Sequence, residues 1–144
     1  MTSGRSSLSR IGSIALTILG GAGACNGSCP SDPAEAVFRV QACEGSGHAP
    51  AGETFRIFLG DQTRIAEAEA LIGKSGKFVL GTVRSGDGAF NQPWSWRLDP
   101  ASVQFVENAI EVCDGCPSFV EDDLQSWVGQ TYCPWSSRIV ARER

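Results

Sequence analysis

Cysteine is the residue type in this sequence with the widest range of possible chemistry. The chain of 144 residues contains six, namely Cys25, Cys29, Cys43, Cys113, Cys116 and Cys133. Cys113 and Cys116 form a C-x-x-C motif between a predicted strand and a predicted helix, as in thiol–disulfide redox enzymes. Only 28 residues follow Cys116, nearby acids oppose formation of a thiolate, and the other cysteines offer structural partners. Structural disulfides are therefore the default interpretation, and their connectivity is open at this point.

Carboxylates are the second group that could do chemistry. The forty residues from Leu98 to Ser137 contain no Lys or Arg and seven acids, namely Asp99, Glu107, Glu111, Asp114, Glu121, Asp122 and Asp123. Such a block could bind a cation or a basic partner surface, although helix N-terminal acids and a solvated face are the more ordinary explanation. An alternative function, a small hydrolase, would use Asp87, Asp99 and Glu111.

Metal and cofactor chemistry has little support in the sequence. The only histidine, His48, lies in a Gly/Pro-rich loop, no G-x-S-x-G motif is present, and the C-x-x-C motif has no second pair to complete a zinc site. We therefore expect no cofactor and no metal. The sequence favours a protein that is not an enzyme.

Tryptophan supplies the main binding candidate. Trp94 and Trp96 are two residues apart on a predicted strand, so their indoles lie on the same face. We expect Trp96 in the core, whereas Trp94 could stack on a sugar or anchor a peptide. The predicted ligand-binding residues are Trp94, Asp87, Asn91 and Arg97.

The N-terminus predicts export. Arg5 and Arg10 precede a short apolar run, Ile11–Leu19, and small residues precede Cys25, which is the order of a secretory signal peptide. The apolar run is too short to span a bilayer. The cleavage site also resembles a bacterial lipobox, so we expect lipidation of Cys25 and a cell-envelope location, with a secreted protein as the alternative. The predicted organisation is a signal peptide at 1–24, a lipidated or flexible tether at 25–35 and a single globular domain at 36–144.

Charge restricts the partners. Residues 25–144 contain ten basic and sixteen acidic residues, a net charge of −6. A surface of this sign disfavours nucleic acid and anionic membranes. We expect membrane contact only through the N-terminal lipid, and a protein, peptide or glycan as the partner.

Five clear strands and two helices must position these residues. The predicted strands are 54–59, 77–83, 94–98, 109–113 and 135–141, with a weaker one at 37–40. The first helix begins after Asp61 and ends at Gly73, and the second runs from Pro117 to Trp127. This order favours an α+β two-layer domain built on an antiparallel sheet and stabilised by disulfides.

Four motifs carry a family resemblance. They are S-G-D-G-A-F-N-Q-P-W-S-W-R-L-D-P from Ser85 to Pro100, I-E-V-C-D-G from Ile110, P-S from Pro117 and C-P-W-S from Cys133. In combination they resemble the N-terminal domain of the slime-mould calmodulin-binding protein, a domain also found in small exported bacterial proteins. The likeness covers residues 37–143. It implies a small domain of largely unknown activity.

The resemblance also implies a disulfide between Cys113 and Cys133. The family pattern has no cysteine at position 116, so Cys116 indicates an added disulfide, with Cys43 as its partner and Cys29 left in the tether. Calmodulin binding is not expected, because the chain has bacterial export features and lacks a basic amphipathic helix. The sequence thus predicts an exported, membrane-anchored binding module of unknown ligand, with an enzyme using the carboxylates or Cys113 and Cys116 as the alternative.

Overall fold

The computed structural model describes residues 34–47, 49 and 51–144. The predicted signal peptide, most of the predicted tether and His48 lie outside the described residues. Within them, no helix has the length and apolar character needed to cross a membrane.

Seven strands and three α-helices make up the described chain. The strands are β1 (Ala36–Glu44), β2 (Ala51–Leu59), β3 (Phe78–Ser85), β4 (Trp96–Leu98), β5 (Gln104–Val106), β6 (Thr131–Tyr132) and β7 (Arg138–Arg142). The α-helices are α1 (Gln62–Leu71), α2 (Pro117–Asp122) and α3 (Leu124–Trp127), and two 3-10 helices lie at Pro100–Ser102 and Glu111–Cys113.

The first sheet is antiparallel and has the strand order β2-β1-β7. β1 pairs with β2 from Ala36 opposite Leu59 to Glu44 opposite Ala51. Alternate residues of both strands are buried, because side chains of a strand point to opposite faces in turn. One face of this sheet therefore supplies much of the core.

β3 is the centre of the second sheet and pairs antiparallel with β4, β5 and β6. The 3-10 helix Pro100–Ser102 separates β4 from β5. A Cβ atom on Gly81 would lie 3.0 Å from Cδ1 of Leu98. Glycine in the middle of β3 therefore permits the close approach of the chain that carries β4.

α1 begins and ends as the sequence predicts. Asp61 is its N-cap, and its Oδ1 accepts the backbone N–H of Arg64 at 2.9 Å. Ile65 and Ala68 are its buried residues. Gly73 follows with φ +72°, the left-handed conformation that glycine adopts most readily after a helix.

The α+β class is confirmed, but several element assignments are wrong. The structure has two sheets and three α-helices, because Asp123 leaves the helical conformation and divides the predicted second helix. The predicted strand at 109–113 is a coil that ends in a 3-10 helix. Its alternating Ile110 and Val112 do not mark a buried face, since they are 71% and 82% exposed.

Trp96 and Tyr132 lie at the centre of an aromatic cluster. The ring centroid of Trp96 is 5.6 Å from that of Phe55 and 5.5 Å from that of Tyr132. Burial raises the pKa of Tyr132 well above 10.0, and its hydroxyl donates to the carbonyl of Gly115 at 3.0 Å. Aromatic pairs of this kind add about 1 kcal/mol each beyond their burial. The cluster thereby connects the core to the loop between Cys113 and Cys116.

Two disulfides close the described domain, Cys43–Cys116 and Cys113–Cys133. This is the pairing expected from the family resemblance together with the added Cys116. The paired residues are 73 and 20 positions apart in the chain. In the chain-entropy model these loops contribute about 4 and about 3 kcal/mol. Because Cys113 and Cys116 have different partners, the C-x-x-C motif is not a redox disulfide in this structure.

Candidate binding site

Asn91, one of the predicted ligand-binding residues, is wholly buried. Its Oδ1 accepts the backbone N–H of Arg56 in β2 at 2.6 Å, and its Nδ2 donates to the carbonyl of Trp96 in β4 at 2.7 Å. These two strands belong to different sheets. The prediction for Asn91 is therefore corrected: its amide joins the two sheets and is not accessible to a ligand.

Trp94 is half-buried and also contacts β2. Its indole N–H donates to the carbonyl of Thr54 at 2.8 Å. Thr54 is two residues before Arg56, the residue of β2 that bonds to Asn91. A guanidinium nitrogen of Arg56 donates to the carbonyl of Gln92 at 2.8 Å. The segment 91–94 therefore covers an edge of β2 that would otherwise present unpaired backbone groups.

Asp87 and Arg97 stabilise the turn before this segment. Oδ1 of Asp87 accepts the backbone N–H of Ala89 at 2.9 Å, and Nη1 of Arg97 donates to the carbonyls of Ser85 and Gly86 at 2.6 and 3.0 Å. The bond from Ala89 is the main cause that lowers the pKa of Asp87. Three of the four predicted ligand-binding residues thus lie in the loop between β3 and β4 and Arg97 lies in β4, and their polar atoms mainly hold the loop in place.

Asp99, one of the carboxylates proposed for hydrolysis, is already bonded within the fold. Asp99 forms an ion pair with Arg84 at 2.9 Å and caps a 3-10 helix through Ala101. The bond from Arg84 is the main cause that lowers the pKa of Asp99, which is the opposite of what a general acid needs. In the described part of the chain, no cluster of three or more His, Cys, Asp or Glu side chains could hold a metal ion.

An open apolar groove lies elsewhere, beside the segment 108–113. It has a volume of about 640 Å³. Its apolar lining consists of Leu80, Ala109, Ile110, Val112 and Trp127, with Asn108, Cys113, Ser126, Gln130 and Thr131 completing it. We call this feature the apolar groove. Its size and lining are typical of ligand-binding clefts.

The walls of the apolar groove are firmly held. The Cys113–Cys133 disulfide fixes one wall, and the backbone N–H of Cys133 donates to the carbonyl of Cys113 at 2.7 Å. Asp114 adds a bond, since its Oδ1 accepts the backbone N–H of Trp135 at 2.9 Å. On the other side, the ring of Trp127 stands edge-on to Tyr132 at 5.7 Å. Two strongly exposed aliphatic side chains are therefore presented from a braced backbone.

A second cavity, of about 460 Å³, lies beyond Asn108 and Ala109, which line both. Lys77, Phe78, Trp135 and Arg138 are among the residues that line it. Both cations are already paired, Lys77 with Glu67 at 3.2 Å and Arg138 with Glu44 at 2.6 Å. Glu107 lines the second cavity as well, so that lining carries charges of both signs, whereas no charged residue lines the apolar groove.

Sequence reasoning missed the groove because it assigned Ile110 and Val112 to a buried strand. The signal that could have identified them is an aliphatic pair shortly before Cys113 in a stretch where the sequence offers no further strand to cover these two side chains. Trp127 was assigned to a helix but not to a surface. Leu80 is an ordinary residue of β3 whose partial exposure becomes evident only from the fold.

The fold and the groove define a class: a small α+β domain closed by two disulfides, with an open apolar cleft beside one of them. The family model of the BP-74 N-terminal domain matches residues 34–144, and the chain belongs to this family. This is the family that the sequence motifs indicated. Searches of curated proteins and of solved structures find no match.

Proposed function

We propose that this protein is an exported binding module that holds an apolar segment of a protein partner in the apolar groove. In this proposal the signal peptide directs export and a lipid on Cys25 anchors the domain to the cell envelope. Two disulfides in a small domain suit an oxidising compartment and support export.

The exposure of Ile110 and Val112 is the observation that carries the proposal. These side chains are 71% and 82% exposed, although the backbone that bears them is tied down by a disulfide. Full burial of such a side chain contributes about 1.5 to 3 kcal/mol. A partner that covers both would gain this energy without paying to order the loop first.

A glycan is the second candidate ligand, at a different place. Gly86, Asp87, Gln92, Pro93, Trp94 and Ser95 line a shallow cavity of about 520 Å³. A half-buried indole beside a carboxylate and an amide is a surface on which a sugar can stack and hydrogen-bond. The exposed aliphatic side chains of the groove offer a sugar few hydrogen-bonding groups. We therefore assign an apolar protein segment to the groove and keep the glycan as the alternative ligand, at this cavity.

A peptide selection tests the groove. Random peptides displayed on phage are selected on the purified protein with its disulfides intact, and the recovered peptides are synthesised with a fluorescent label. Binding is then measured by anisotropy to the double variant Ile110→Ser/Val112→Ser. The matched control is Ile72→Ser, which replaces an aliphatic side chain that is 38% exposed outside the groove lining.

We expect the double variant to weaken binding of the selected peptides at least tenfold, while Ile72→Ser leaves it unchanged. Circular dichroism and urea unfolding check that both variants fold. Equal binding to the double variant and to the unmodified protein would refute the groove as the binding site, as would a selection that yields no peptide.

A further inference from the structure

We infer that the segment bound by the apolar groove is cationic: its apolar anchor residues are flanked by Lys or Arg. This inference rests on the proposed binding function of the groove and adds the chemistry of the partner. It follows from the distribution of charge around the groove.

No Lys or Arg lines the apolar groove. Apart from Leu80, its lining residues lie between Asn108 and Thr131, and that part of the chain also contains none. Acids lie next to the lining residues in the chain, with Glu107 before Asn108 and Asp114 after Cys113. The groove is thus an apolar cleft in a stretch with one sign of charge, and such a surface raises the local concentration of cations.

Elsewhere in the described chain, more of the acidic side chains are paired with a basic side chain. Five of them form ion pairs with Lys or Arg, namely Glu44, Glu67, Glu69, Asp99 and Glu143.

Five acids of the groove region whose side chains the structure describes form no ion pair, namely Glu107, Asp114, Glu121, Asp122 and Asp123. Glu107, Asp122 and Asp123 are exposed, and Asp123 makes no side-chain cap to the helix it precedes. Glu121 and Asp114 accept hydrogen bonds from neutral groups, Ser95 and the backbone of Trp135. No Lys or Arg side chain in the described chain therefore neutralises the charge of these acids by an ion pair.

This charge disfavours two other occupants of an apolar cleft, a second copy of the chain and an anionic membrane. A second copy of the chain would bring the same acids against these, and like charges across an interface oppose association. An anionic membrane surface is repelled for the same reason.

Two synthetic peptides test the inference on the full protein. Both have the same leucine-rich core and a fluorescein label, and the core is flanked by lysines in one and by glutamates in the other. The neutralised variant is Glu107→Gln/Asp123→Asn. The matched control, Glu35→Gln/Asp61→Asn, changes net charge by the same amount with the same substitutions at acids far along the chain from every groove-lining residue after β3, and asparagine keeps the N-cap of α1.

At low ionic strength we expect the lysine peptide to bind about tenfold more tightly than the glutamate peptide. The neutralised variant should weaken binding of the lysine peptide about fivefold, and the control variant should not. Added salt should reduce the preference, because the Debye length falls to about 3 Å at 1 M.

The outcomes separate the two proposals. If both peptides bind with equal affinity and both lose binding in Ile110→Ser/Val112→Ser, the groove binds apolar segments and the charge inference is wrong. If neither peptide binds, or if binding ignores the Ile110→Ser/Val112→Ser change, the proposed function fails and the inference fails with it.

Discussion

Replacing Asn91 by alanine should destabilise the whole domain, because this one side chain bonds both sheets. The change removes the acceptor for the backbone N–H of Arg56 and the donor to the carbonyl of Trp96, with nitrogen–oxygen distances of 2.6 and 2.7 Å. Asn91 is 0% exposed, so water does not replace these partners without rearrangement of the loop.

The magnitude follows from the two bonds. Each buried hydrogen bond contributes about 1 kcal/mol net, and a buried partner left without a bond costs about 1 to 3 kcal/mol. We therefore expect Asn91→Ala to lower the free energy of unfolding by about 2 to 4 kcal/mol. That is a large share of the roughly 5 to 15 kcal/mol that stabilises a typical domain.

Urea unfolding without reductant, followed by tryptophan fluorescence, measures this change. Asn108→Ala is the matched control, since Asn108 is exposed and should lose no more than about 0.5 kcal/mol. Asn91→Asp keeps the acceptor but sets an oxygen against the Trp96 carbonyl, so it should also destabilise. A loss for Asn91→Ala that equals the loss for Asn108→Ala would refute the role assigned to this amide.

Three further results are expected. The double variant Cys43→Ala/Cys116→Ala should lose about 4 kcal/mol of unfolding free energy, because it reopens a loop spanning 73 residue positions, and a loss near zero in urea unfolding would contradict the entropic account. Tyr132→Phe should lose about 1 kcal/mol with its buried hydroxyl bond, and an unchanged urea midpoint would refute this. Arg84 holds the pKa of Asp99 below its ordinary value of 3.8, so this pair stabilises the fold above that pH and the contribution is lost as pH falls through the lowered pKa. Asp99→Asn should therefore reduce the acid sensitivity of the unfolding midpoint, and an unaltered pH profile would count against the pair.

The α+β class and α1 could be predicted from the sequence because their signals are local. Asp61 and Gly73 bound a helix whose buried residues recur at helical spacing, and the alternation in β2 is set by residues two apart. The division into two sheets could not be predicted in this way. It depends on pairings of β3 with strands up to about fifty positions away, and short strands such as β6 carry almost no periodic signal.

The candidate binding surfaces depend on tertiary contacts more than the fold class does. The tryptophan-rich loop attracted attention because it carries aromatic, acidic and amide side chains, which also suit a ligand site. Only tertiary contacts reveal that Asn91 and Trp94 bond the edge of β2 instead. Conversely, Ile110 and Val112 have the composition of a core strand, and only the fold shows that nothing in the described chain covers them.

The division of the C-x-x-C motif between two disulfides has a consequence for biosynthesis. Cys113 and Cys116 are three positions apart, whereas their native partners are 20 and 73 positions away. The entropic cost of closing a loop grows with its length, so we expect the local, non-native bridge to form first as the chain is oxidised. Attack of the Cys43 thiolate on Cys116 then forms the native Cys43–Cys116 bridge and releases the Cys113 thiolate, and a two-electron oxidation of Cys113 and Cys133 closes the second bridge. We expect maturation of this protein to depend on thiol–disulfide exchange as well as on the supply of oxidant.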